Sequence, residues 1–260
     1  LPSTHSSGTG TDMTDLTELR VDLAATLRWA ARLGLHEGIC NHFSVAVDER
    51  GDRFLVNPLG VHWAEMAASD LVLADAAGNV LEAKPGPDGP LEVEATAFFI
   101  HSRIHLSNPA ARCVLHTHMP YALSLCLVEG GRLEMVEQNA LRFHDRIAYE
   151  DEYGGLALDN SEGDRLAAAL GNRSVAFLAA HGVIVTGPTI AQAFDDLYYL
   201  ERAAKAQVLA RSTGLPLRRL PDAVVQRTAQ QMVSESGSQA HRHLAAIRRI
   251  LDREEPGYRG

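Results

Sequence analysis

Residues 175–211 read VAFLAAHGVIVTGPTIAQAFDDLYYLERAAKAQVLAR, and their pattern decides the architecture. The apolar run Val175 to Ala180 is short and β-prone, His181 and Gly182 interrupt it, and Val183 to Val185 resume it, which predicts two adjacent strands joined by a tight turn. From Thr189 a hydroxyl cap leads into apolar positions at helical spacing as far as Arg211, which predicts a long helix. A strand pair followed by a helix differs from a regular βαβ unit and points to an antiparallel sheet.

The rest of the chain supports that reading. Leu16, Leu19, Leu23, Leu27 and Ala30 fall on one helical face, with Gly34 placed as a left-handed stop. Phe43–Val47 and Phe54–Val56 flank the polar turn DERGDR, and Val72–Ala74 and Val80–Leu81 flank DAAGN, so each predicts an antiparallel pair. The stretch KPGPDGP at 84–90 predicts a loop, Val93–Leu106 a helix, Arg112–Leu115 a strand running into His116, and the region after Ser161 another helix. Leu244, Ile247 and Leu251 predict a docking helix over about 239–253. The small polar residues 1–12 read as a disordered tail or a leader, and 13–260 as one α/β domain around a mainly antiparallel sheet.

Composition narrows the function. With 24 Lys and Arg against 33 Asp and Glu, the formal charge is −9, which argues against a phosphate-attracting field and hence against nucleic acid as partner. Three widely spaced cysteines give neither a disulfide framework nor a CxxC metal pattern, and no apolar run has bilayer length, so a cytoplasmic protein away from the membrane is expected.

The chemistry lies in the twelve histidines. His116 and His118 are two apart after an apolar strand, so both imidazoles face one side and can reach one metal ion. Chance alone produces about half a His-x-His pair in such a chain. A second pair, His241 and His243, falls in the expected tail helix, where positions two apart diverge, so it reads as solvated surface. His181, between two apolar strands, is a polar ring that needs a partner, and Gly182 beside it admits a close neighbour. Three imidazoles on one ion leave coordination positions open, as catalytic sites do. Spacing alone leaves separate hydrogen-bonded histidines as the other reading. His101 and His105, four apart on a helix, read as a core or surface polar pair.

The stretches LHTHMPYALSLC (115–126) and LAAHGVIVTGPTIAQAFDDLYYLERAAKAQ (178–207), with NHFSVAV, NPLG (57–60), FFIHSRIH (98–105) and RIAYEDEYGG (146–155), resemble the class II aldolase/adducin family over roughly residues 15–215. The resemblance implies a three-layer αβα domain with an L-fuculose-1-phosphate aldolase-like fold, a homotetramer with sites at subunit interfaces, and a divalent metal held by His116, His118 and His181. Zinc is the first expectation, with manganese or iron as alternatives.

Two departures shape the expected reaction. The phosphate-holding Gly-Asn-x-Ser of the sugar-phosphate aldolases is matched here by Asn41, His42, Phe43 and Ser44, and the Ser-Ser-Glu acid/base motif by Ala95, Thr96 and Ala97. Glu94 lies three residues before the position of that glutamate. The reading is therefore a metal-dependent carbon–carbon lyase, a decarboxylase or aldolase acting on a small oxygenated acid or carbonyl compound. Asn41, His42, Asn57 and Gly60 are its candidate substrate contacts, and Glu94, Gln138 and Tyr149 its candidate catalytic groups. Family resemblance also leaves open a non-haem iron oxygenase, a sugar-phosphate aldolase or epimerase, and a non-catalytic adducin-like module.

Overall fold

The first helix, α1 (Met13–Leu33), carries its apolar side at helical spacing, buries Leu23, Leu27 and Ala30 completely, and ends at Gly34 in the left-handed region, φ +67°. The computed structural model describes residues 13–87 and 89–260, so the tail expected at 1–12 lies outside the described residues.

After α1 come β1 (His42–Ala46) and β2 (Arg53–Val56), then β3 (Val72–Asp75) and β4 (Val80–Glu82), paired antiparallel as their turns predict. The segment expected as a loop at 84–90 folds back on itself as a minimal ribbon, β5 (Pro85–Gly86) against β6 (Gly89–Pro90). Helix α2 (Ala95–Ser107) starts two residues later than its apolar pattern suggests, because Glu94 caps it and accepts the Ala97 N–H. Strand β7 (Cys113–Thr117) leads into α3 (Pro120–Cys126), followed by α4 (Gln138–Leu141), β8 (Ile147–Glu150), α5 (Asn160–Leu170), β9 (Val175–Leu178), β10 (Gly182–Gly187) and α6 (Ile190–Arg211). Thr189 caps α6 by accepting the Gln192 N–H.

The helix expected at 239–253 is α7, and it runs from Asp222 to Glu254. Its first half offers only Val225 and Ala229 to the core and contains the weak helix formers SESGS, so the apolar period fades there although the helix continues.

Among the described residues the main sheet has eight strands in the order β4-β3-β2-β1-β7-β10-β9-β8, antiparallel except for the β8–β9 pair. One face packs on α1, α3 and α6 through Phe43, Val45, Leu115, Val183, Val185 and Phe194, with α7 behind against α1 and α6. The other packs on α2 and α5 through Val114, Ile184, Ile100, Ile104, Leu166 and Leu170. This is the expected three-layer αβα domain. Each fully buried aliphatic or aromatic side chain contributes about 1.5–3 kcal/mol, so the central strands, buried on both faces, anchor the sheet. Registers in that rigid centre set opposite one another the residues that matter chemically, His42 facing His116 and His116 facing Ile184.

Candidate metal centre

His116 is the fourth residue of β7 and His118 follows the strand, so the two rings project to the α2/α5 side. The third ring comes from the β9–β10 turn, where Ala180 takes φ +55° and His181 donates its N–H to Leu178 O. A Cβ on Gly182 would stand 2.6 Å from the Thr117 carbonyl oxygen and 2.7 Å from His118 Cδ2, so only glycine lets the turn close on the strand that carries the other two histidines. One nitrogen from each of His116, His118 and His181 lies within 4.8 Å of the others, and this is the one such group of three or more His, Cys, Asp or Glu among the described residues.

Hydrogen bonding fixes which nitrogens face the centre. His116 Nδ1 lies 3.0 Å from the Val183 carbonyl oxygen, which can only accept, so Nδ1 carries the proton and Nε2 its lone pair. Burial, then the neighbouring His181, His42 and His118, hold the His116 imidazolium well below the usual histidine range, so the ring is neutral. His118 Nδ1–H donates to the Glu37 carboxylate, which turns Nε2 of that ring inward as well. The two Nε2 atoms are 3.2 Å apart. His116 Nε2 carries a lone pair, so this close approach calls for a proton or a positive centre between the two atoms. A shared proton would serve two nitrogens, whereas here three converge. His181 is pushed down to about 4 by burial and by His118 and His42, so it too offers a lone pair.

His36 and His62 provide a contrast within the same chain. Their Nε2 atoms are 3.0 Å apart, but His62 Nδ1 accepts the Ala64 N–H, so its Nε2 carries a proton and donates it to His36. That pair is an ordinary hydrogen bond; the one at the sheet centre fits a divalent cation held by three imidazoles.

Around the triad, His42 stacks on His116 with ring centroids 5.5 Å apart, and its Nε2 lies 3.2 Å from a Glu94 carboxylate oxygen. Partial burial pushes the Glu94 carboxyl up, but hydrogen bonds from His42, the Thr96 hydroxyl and the Ala97 N–H outweigh it and bring the group down to about 2. The helix N-cap thus turns Glu94 back towards the site despite its early place in sequence. Asn41 adopts φ +78° and accepts the His118 N–H through Oδ1 at 3.3 Å, while its Nδ2 and His42 Nδ1 are buried without a hydrogen-bond partner. Asn57 clasps this turn, accepting the Phe43 N–H at 2.8 Å and donating to the Asn41 carbonyl at 3.3 Å. Gly60, φ +82°, has open space where a side chain would point.

The other candidates stand elsewhere. Gln138 is exposed at the first turn of α4. Tyr149 accepts the Leu133 N–H at 3.1 Å, packs on Phe177 beneath the Arg132 guanidinium, and has its phenol pushed up by burial. His101 and His105 form the core polar pair, both bonded to the Ser44 hydroxyl, at 2.6 and 2.8 Å. The reading of His241 and His243 as solvated surface holds only for His241: His243 Nδ1 bonds Asp195 at 2.8 Å and ties α7 to α6, because α7 lies against that buried carboxylate.

Two neighbours of the triad escape sequence reasoning. Glu37 is 81 positions from His118, and no motif links them. The Tyr153 ring lies 6.2 Å from that of His181, on an irregular stretch with no periodicity.

The geometry can be set beside known proteins. Residues 21–208 match the family model described as the Class II Aldolase and Adducin N-terminal domain. A Pseudomonas aeruginosa protein provisionally named a class 2 aldolase is 35% identical over 93% of this chain and 92% of its own. The decarboxylase NovR of Streptomyces niveus is 29% identical over 88% of this chain and 84% of its own. The crystal structure of an aldolase II superfamily protein from Pseudomonas syringae superposes with a TM-score of 0.85 at 34% identity, covering 94% of this chain and 96% of that one. On sequence and fold together, this chain belongs to the class II aldolase/adducin family.

Proposed function

We propose that the protein is a divalent-metal-dependent lyase that cleaves a carbon–carbon bond, by decarboxylation in preference to retro-aldol cleavage, in a small oxygenated carboxylic acid. The observation that carries this reading is the pair of inward-facing Nε2 atoms 3.2 Å apart on His116 and His118, completed by His181. Three imidazoles suit zinc or iron and leave positions for substrate oxygens. When bound, such an ion supplies Lewis-acid stabilisation of the oxyanion that develops as the bond breaks.

The chain's own groups do the rest. Asn41 Nδ2, buried and without a partner, is placed to donate to a substrate oxygen, with its amide oriented by the His118 N–H. His42 Nε2 is held by the ionised Glu94, which orients the ring and leaves Nδ1, buried and without a partner, for a substrate hydroxyl. The absence of a carboxylate at Ala97 and the bulk of His42 in place of a phosphate-binding amide favour a carboxylate substrate over a sugar phosphate. The decarboxylase among the relatives supports the same choice. Assembly as a homotetramer accompanies this reading and would cover the exposed Leu127, Val128, Leu156 and Leu158; light scattering tests it.

A panel of hydroxy- and oxo-carboxylic acids assayed for CO2 release tests the reaction. Release that a chelator abolishes and metal restores is expected. Release indifferent to chelator, or turnover that consumes oxygen without lysis, contradicts it.

A further inference from the structure

We infer that Glu37 is a positioning residue for His118: its carboxylate holds the proton on Nδ1 and so presents Nε2 to the metal. This rests on the metal reading above and adds the group that gives one ligand its orientation.

Glu37 belongs to the turn between α1 and β1, closed by the Cys40 N–H donating to the Glu37 carbonyl at 2.9 Å. That turn is anchored from the residue before. The His36 ring stacks on Trp63 at 5.9 Å, accepts a hydrogen bond from His62, and Trp63 is fully buried. The backbone of Glu37 is therefore held by the core while its side chain reaches outward to His118.

Stability is a poor explanation for the contact. The two side chains are 61% and 22% exposed, and ion pairs at such rims contribute little to folding. Its chemical effect is specific. An unrestrained neutral imidazole favours the proton on Nε2, the form that cannot bind a metal through that atom. A carboxylate on Nδ1 reverses the preference and makes Nε2 a stronger donor. The Val183 carbonyl does this for His116 without a charge, so Glu37 is the one anion that acts on a ligand of this site in this way among the described contacts.

The test uses the full-length chain as wild type, Glu37→Gln and Glu37→Ala, with His118→Ala as reference. Nitrogen-15 NMR of the metal-free protein reads the His118 tautomer, and zinc competition against a chromophoric chelator reads affinity. Wild type is expected to show Nδ1–H. Glu37→Ala is expected to shift His118 towards Nε2–H and to bind zinc about 10–100-fold more weakly. Glu37→Gln, whose amide oxygen still accepts but carries no charge, should keep the tautomer and lose less affinity. This variant also serves if the alanine variant fails to fold. An Nδ1–H tautomer in Glu37→Ala, or zinc affinity within about twofold of wild type, overturns the role. Zinc binding lost in His118→Ala but untouched in Glu37→Ala overturns Glu37 alone. A wild-type chain that binds no zinc or iron overturns the metal reading with it.

Discussion

His42 and His116 face each other across the β1–β7 register, and their rings stack 5.5 Å apart at an interplanar angle of 22°. One strand pairing thus puts a member of the three-histidine cluster and the Glu94-bound imidazole side by side. Glu94→Gln should lower kcat by about 10²–10⁴, the usual range for a lost acid/base partner, and leave zinc affinity unchanged. Measuring both on one preparation checks this; an equal fall in zinc affinity would assign Glu94 to the metal instead.

Acid should destabilise the metal-free protein in two stages. Burial pushes His105 down to about 4 and His101 well below its ordinary value, so the unfolded chain binds protons that the folded chain excludes. Their contribution is complete above the unfolded value near 6.5 and is lost as pH falls through it towards 4. Glu94, held down to about 2, contributes above 4.5 and loses that contribution between 4.5 and 2. Urea midpoints recorded from pH 8 to pH 3 should decline first below about pH 6.5. A flat profile between pH 7 and 5 would contradict the neutral buried histidines.

Gly182→Ala should damage the site as well as the fold. The added methyl meets the Thr117 carbonyl and His118 Cδ2 inside contact distance, forcing shifts that cost about 1–3 kcal/mol. His118 lies in the path, so zinc affinity should fall with stability. A variant that melts lower but binds zinc as wild type would show that the turn relaxes away from the ligand.

Much of this was legible in the sequence because it rests on local pattern. The strand pairs around DERGDR and DAAGN, the cap at Thr189 and the His116/His118 spacing each depend on a few neighbouring residues. Convergence of His181 was readable only as a polar ring stranded between apolar strands. What escaped depends on contacts across the chain. Glu37 reaches His118 from another element, and His243 is drawn from solvent by Asp195. The first half of α7 was hidden because its few core contacts leave a weak apolar period.

The central claim is that three imidazoles hold one divalent ion, and elemental analysis tests it most directly. Protein purified without added metal, then quantified beside His116→Ala and His181→Ala variants, should carry about one zinc or iron per chain in the wild type and almost none in either variant. Fully active wild type with no bound metal, or variants that retain the wild-type content, would contradict the account.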